Sequence, residues 1–363
     1  MRRPTWIVIL LHGWILATCF SLWADPVDDY LKTQMQQRRI PGVTLAVVRD
    51  GKTIKAQGYG LANLELNVPV TQQSVFEIGS ITKQFTAAAI LMLVEAGKLG
   101  LDDKISKHLQ GCPAAWSSVT IRHLLTHTSG LKNYTGLSGF EVSRELDAPK
   151  FIATLAPHPL DFAPGESFSY CNSGYNLLGY IIEEVSGQSY WQFLSERIFK
   201  PLGMITCQSR DLKTVITNRV SGYELEKGIL VNRDSDLTDV FAAGAIVSTA
   251  RDLMKWNAAL DTDKVLSRSS RAEMWKPVRL NDGKTYPYGF GWRLNDYRGL
   301  QNIGHSGSTS GFCASLQRFP DHKLSVIVLC NLGEQGLATL LARGVAGFYL
   351  PPQAEESGTA QPK

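Results

Sequence analysis

Two β-rich runs, Val43–Val48 and Thr53–Tyr59, flank Asp50-Gly51 near the start of the chain. That dipeptide tolerates positive φ, so the pattern predicts a tight hairpin. Two similar runs, Cys313–Phe319 and Leu324–Leu329, flank Pro320-Asp321-His322-Lys323 near the other end. Between them the periodicity changes. Phe85, Ala87, Ala88, Ala89, Ile90, Leu91, Met92, Leu93 and Val94 form a stretch that is apolar nearly all round, which predicts a helix inside the fold. Leu177, Leu178, Ile181, Ile182 and Val185 recur at helical spacing, and Gly187 follows as a stop. A last helix is expected around Leu337–Phe348. The pattern predicts an α+β fold, an α/β sandwich. One antiparallel sheet is assembled from both chain ends and covered by helices on both faces. A mainly helical lobe is inserted over about residues 100–235. The cleft between lobes is where residues distant in sequence converge.

Composition narrows the function. The chain has 363 residues, 44% hydrophobic, with a net charge of only +4 and no lysine/arginine run of nucleic-acid type. Arg2 and Arg3, an apolar run over Trp6–Phe20 and a small residue at Ala24 read as a signal peptide over residues 1–24. The run is short for a membrane span and is interrupted by His12 and Gly13. This predicts a periplasmic or secreted protein with no stable membrane span. Lipid attachment at Cys19 is a lesser alternative, because Thr18 fits a lipobox poorly. Cleavage leaves Cys112, Cys171, Cys207, Cys313 and Cys330, an odd number without regular spacing, which argues against a disulfide framework. The tail after about 350 is polar and expected to be disordered.

The candidate chemistry lies in three short segments. In Glu77-Ile-Gly-Ser80-Ile-Thr-Lys83, a serine precedes a lysine by three residues at the head of the enclosed helix, so the two side chains share a face. A serine hydroxyl needs a base, and a buried lysine can be one when desolvation lowers its pKa. A second copy, Ser129-Gly-Leu-Lys132, has loop composition, so no helix aligns it. Tyr170 and Asn172 lie on a short connection between the Pro164-Gly165 turn and the next helix. His305-Ser306-Gly307-Ser308 forms a glycine-rich entry to the strand-like run at Cys313. His123 and His127 have i, i+4 spacing, but no glutamate or third ligand accompanies them, so no metal is expected. No Gly-x-Ser-x-Gly element is present.

Taken in order, these segments resemble the serine β-lactamase-related superfamily: class C β-lactamases, DD-peptidases and related esterases. Leu124–Leu131, the Pro164–Gly187 block, Pro201-Leu-Gly203-Met204, Gly244–Leu253 and Tyr288–Trp292 add to the resemblance, which spans roughly residues 27–348. It implies a β-lactamase/transpeptidase-like fold and an acyl-enzyme on Ser80. Lys83 and Tyr170 share the proton work, and Asn172 bonds Lys83 or the substrate amide. The backbone N–H groups of Ser80 and Ser308 form the oxyanion hole. His305 and Gly307 contact substrate, and no cofactor is needed. The third motif departs from Lys-Thr-Gly: histidine replaces a lysine suited to a substrate carboxylate. An ester, a D-amino-acid peptide as in a DD-carboxypeptidase, and a β-lactam all stay open as substrates. So does a catalytically silent peptidoglycan-binding protein.

Overall fold

The computed structural model describes residues 25–137 and 147–352. The predicted leader, Cys19 and all but the first two residues of the tail lie outside that range. A seven-stranded antiparallel sheet forms the frame. Its strands, from one edge, are Arg293–Tyr297, Leu300–Thr309, Phe312–Phe319, Leu324–Cys330, Gly42–Arg49, Lys52–Asn63 and Val68–Pro69. Thus the first strand of the chain pairs with its last, Val43 opposite Cys330 and Arg49 opposite Leu324. The Asp50-Gly51 turn has φ of 51° and 72°, as that hairpin requires.

Helices cover both faces. Pro26–Arg38 and Leu337–Ala346 pack on one, closing a core that includes Leu31, Val43, Leu45, Val328 and Leu341. On the other lie Thr82–Glu95 and Ala250–Ala259, around Ala46, Phe85, Leu316, Ile327 and Trp256. The strand Gly42–Arg49 is buried at seven of its eight positions, which is why it reads as an unbroken apolar run. Each fully buried leucine or isoleucine contributes on the order of 1.5–3 kcal/mol. The Thr82–Glu95 helix is buried at 11 residues, including Lys83.

The inserted segment carries Ile121–Leu125, Ala148–Leu155, Asn172–Ser186 and Tyr190–Leu194 as helices. It also holds a hairpin, Gly222–Glu226 with Ile229–Arg233, and its Gln208–Ser209 joins Ile246–Ser248 and Phe76–Glu77 from outside the segment in a small sheet; the sequence pattern indicated neither. Leu300–Thr309 is a full strand rather than an entry to one. Its Gly304, Ser306, Gly307 and Ser308 have little intrinsic strand preference, and pairing with Phe312–Phe319, joined by Arg293–Tyr297 on the other side as far as Gly304, imposes the conformation. Among the described residues no helix is long and apolar enough to cross a membrane.

Candidate active site

A single turn of 3-10 helix, Gly79–Ile81, places Ser80 just ahead of the buried helix. One turn on, Lys83 is fully buried while Ser80 stays half-exposed. Lys83 Nζ lies 3.1 Å from Ser80 Oγ, 2.8 Å from Asn172 Oδ1 and 2.8 Å from the Ala243 carbonyl oxygen. No carboxylate pairs with it among the described residues. Burial pushes its pKa far below the ordinary lysine value, and Arg293 adds to the fall. The contacts suit a neutral amine. Two partners can only accept, so two N–H bonds go to them and the lone pair faces the one partner that can donate, the Ser80 hydroxyl.

Asn172 is the first residue of the Asn172–Ser186 helix, and Cys171 before it is extended. That break turns Tyr170 and Asn172 into the cleft, whereas the Cys171 thiol points back to the Leu131 carbonyl at 3.3 Å. The Tyr170 ring lies under Lys83 Nζ, 4.8 Å from its centroid. Its hydroxyl is buried and makes no hydrogen bond of normal geometry. Burial raises its pKa, and the nearby Ser80 hydroxyl and Arg293 only partly oppose the rise. Tyr170 is therefore a neutral acid at ordinary pH.

The His305 strand closes the third side. Gly307 sits directly on the Ser80 turn: a Cβ there would lie 1.9 Å from the Ile78 carbonyl oxygen and 2.9 Å from Ser80 N. From the other side, a Cβ on Gly79, whose φ is 50°, would lie 2.7 Å from Ser308 N. Two glycines thus let the backbones of Ser80 and Ser308 approach with no side chain between them.

His305 is buried, and both its ring nitrogens are engaged. Nε2 is 3.0 Å from Tyr288 Oη, and Nδ1 is 2.6 Å from the Ser306 carbonyl oxygen. The Tyr288 hydroxyl is in turn 3.1 Å from His127 Nε2, and His127 Nδ1 accepts the Cys171 N–H at 3.0 Å. The two ends fix the direction of the chain. Cys171 can only donate and Ser306 can only accept, so His127 donates to Tyr288 and Tyr288 donates to His305. Both imidazoles are neutral; burial drives His127 well below the usual range and His305 down to about 3. His305 thus meets the cleft as a neutral wall with no free nitrogen.

The cation beside the site is instead Arg293, which sequence reasoning missed. It starts the edge strand next to His305, opposite Gly304. Its guanidinium carbon is 5.6 Å from the Tyr170 ring centroid and 6.0 Å from that of Tyr288. It pairs with no carboxylate among the described residues; the cavity of about 710 Å³ that it lines with His305, Tyr30 and Arg343 is a separate space that Ser80, Lys83 and Tyr170 do not line. No sequence signal marks it, since strand pairing alone brings it near. His127 and Tyr288 lay within recognised landmark segments, but their joint role appears only in three dimensions. No described cluster of His, Cys, Asp or Glu could hold a metal ion. His123 Nδ1 accepts the Thr120 N–H at 3.2 Å as part of a helix cap.

Residues 27–346 match the Beta-lactamase family. Penicillin-binding protein 4* of Bacillus subtilis is 34% identical over 329 residues, covering 85% of this chain and 72% of that protein. Protein flp of Staphylococcus aureus is 28% identical, over 87% of this chain but only 64% of its own length. Among solved structures, an octameric penicillin-binding protein homologue from Pyrococcus abyssi superposes with a TM-score of 0.77 at 29% identity. It covers 89% of this chain and 76% of its own. The D-amino acid amidase from Ochrobactrum anthropi SV3 gives 0.75 at 26% identity, over 89% and 96% of the two chains.

Proposed function

The chain belongs to the Beta-lactamase family and is a serine hydrolase; from that premise we propose that it cleaves an amide-type bond whose leaving group or flank carries a carboxylate, through an acyl-enzyme on Ser80. The observation that carries the reading is Lys83, buried, without a counter-ion and in contact with the Ser80 hydroxyl. The neutral amine takes the Ser80 proton as Oγ bonds to the substrate carbonyl carbon. The carbonyl oxygen becomes an oxyanion held by the N–H groups of Ser80 and Ser308. As the bond to the leaving group breaks, Tyr170 gives that group its proton and recovers one from Lys83. Water then attacks the acyl carbon, its proton passes to Lys83, and Oγ departs and is reprotonated. Asn172 keeps the Lys83 lone pair aimed at Ser80.

Arg293 supports the substrate class. An unpaired guanidinium at the cleft suits a carboxylate. It stands in for the lysine that His305 displaces from the third motif. A carboxyl-terminal D-amino-acid peptide and a β-lactam both carry such a group, and a plain ester does not. One structural relative is a D-amino acid amidase, which favours an amide over an ester bond. Export to the periplasm or medium is part of the reading. It rests on the pattern of residues 1–24, and mature protein beginning at Asp25 would be its mark in intact-mass analysis.

The test is fluorophosphonate labelling with peptide mapping, followed by rates on a D-alanyl-D-alanine peptide, a penicillin and p-nitrophenyl acetate. The reading expects one adduct, on Ser80, and the highest kcat/KM on the peptide. An adduct elsewhere overturns the nucleophile. Turnover of the acetate alone overturns the carboxylate. Labelling absent altogether favours the silent peptidoglycan-binding protein.

A further inference from the structure

Glu77 lies three residues before Ser80, on the short strand Phe76–Glu77 that leads into the nucleophile turn. It is buried, and it has a partner far along the chain: the Thr309 hydroxyl donates to Glu77 Oε2 at 2.6 Å. Thr309 directly follows Ser308. This bond therefore ties the residue just before one oxyanion donor's turn to the residue just after the other donor. The two backbones also meet at the glycines, Gly79 against Gly307 and Ser308 and Gly307 against Ile78 and Ser80, contacts that set a minimum approach. We propose that Glu77 is a positioning residue: by gripping the Thr309 hydroxyl it sets the spacing of the Ser80 and Ser308 backbone N–H groups, and hence the fit of the oxyanion. The inference rests on the acyl-enzyme reading above.

The surroundings make this grip sensitive to protonation. The charged neighbours of Glu77 are Arg210, Asp234 and Arg219. The Arg210 Nε is 3.4 Å from Glu77 Oε1, but neither atom makes a hydrogen bond of normal geometry. The Arg210 guanidinium is committed instead to Asp234 and to the Asp211 carbonyl, and Arg219 also pairs with Asp234, at 3.1 Å. The strand paired with it places Val247 opposite Glu77 and Ser248 opposite Phe76, neither of which carries a charge. Burial thus outweighs the partial help from Thr309 and Arg210, and the carboxyl is pushed up to about 7. Above that pH Thr309 donates a short, charge-assisted bond; below it the acceptor is a neutral acid and the grip is weaker.

The experiment measures the second-order rate of fluorophosphonate labelling from pH 5 to 9, with the adduct mapped in every variant. The wild type should show a limb centred near pH 7 that vanishes in Glu77→Gln, whose amide oxygen still accepts from Thr309 but does not titrate. Thr309→Val should label about 10- to 100-fold more slowly at all pH values, a partial loss of what removing one oxyanion donor does. Thr309→Ser should restore the rate and guards against a misfolded valine variant. Superimposed pH profiles of wild type and Glu77→Gln, or a Thr309→Val rate within twofold of wild type, overturn the proposal. Failure of the acyl-enzyme reading looks different: the adduct would lie away from Ser80.

Discussion

Ser80-Ile-Thr-Lys83 and Ser129-Gly-Leu-Lys132 have the same spacing, and only the first has the surroundings that the proposed chemistry needs. Lys83 is buried, faces no acid, and touches Ser80 at 3.1 Å. Lys132 is partly exposed and paired with Asp161. The Ser129 hydroxyl accepts the Leu131 N–H at 3.3 Å, a local turn bond. Both copies have a crowded glycine nearby. A Cβ on Gly130 would lie 2.0 Å from the Phe162 carbonyl oxygen, and one on Gly307 1.9 Å from that of Ile78. The spacing supplies proximity only on a helix, and solvent exclusion supplies the base. Where a salt bridge satisfies the lysine, the same four residues are scaffold.

The sharpest way to break this contrast is to delete each serine. Ser80→Ala should lower hydrolysis by about 10⁴- to 10⁶-fold, the range for removing a nucleophile that works as part of a unit. Ser129→Ala should stay within about twofold, by kcat/KM on the best substrate. A comparable loss in both would end the distinction.

The lysines come next. Lys83→Met should slow acylation by about 100- to 10,000-fold, as loss of a general base does. In stability, relief of the desolvated amine is offset by the loss of its bonds to Asn172 Oδ1 and the Ala243 carbonyl oxygen. The pH dependence carries the sign. The folded-state pKa of Lys83 lies below its unfolded value, so between the two the unfolded chain holds the extra proton. That contribution makes wild-type stability rise with pH across the window, and denaturation midpoints of Lys83→Met should lack it. Activity should rise through the same folded-state pKa. Lys132→Met should leave activity unchanged and cost at most ~1 kcal/mol, as an exposed ion pair does.

The glycines separate chemistry from stability. Gly307→Ala pushes the His305 strand off the Ser80 turn and should cost about 100- to 1000-fold in kcat, comparable to losing an oxyanion donor. Gly130→Ala, at φ 71°, should mainly lower the melting temperature, by strain of ~1–3 kcal/mol, with kcat nearly intact. The most selective effect is expected for Arg293→Ala. It should lose about 10- to 100-fold on a substrate with a carboxylate, in keeping with ~1.5–3 kcal/mol for a charged hydrogen bond. Turnover of p-nitrophenyl acetate should not change.

Much of this contrast was legible in the sequence. The apolar run after Lys83 marked a buried helix, and Gly130 marked a loop. The two sheet hairpins and the Asn172–Ser186 helix follow from periodicity and turn residues, with the boundary at Gly187 fixed by its left-handed φ of 71°. The third side of the site was harder to read. His305 appears in sequence as a residue free to meet substrate, whereas Tyr288 and Ser306 engage both of its nitrogens. Tyr288 lies 17 positions away and His127 much further, so no local pattern encodes the chain of bonds. Arg293 escaped for a related reason. Its role comes from strand register, which places it opposite Gly304, and from the absence of an acid, which no linear pattern displays.

The meeting of Gly79 with Gly307 has a consequence for how the molecule comes into being. Ser80 is made early, but the strand that completes its site follows more than 200 residues later. The central strand Gly42–Arg49 likewise awaits Leu324–Cys330. Such long-range pairing is slow and leaves edges open on a nascent chain. On the proposed acyl-enzyme reading, a partly synthesised or truncated polypeptide carries Ser80 without the Ser308 N–H that completes its oxyanion hole. It cannot acylate itself on substrate met before the last strands dock, and hydrolytic competence arrives with the finished sheet.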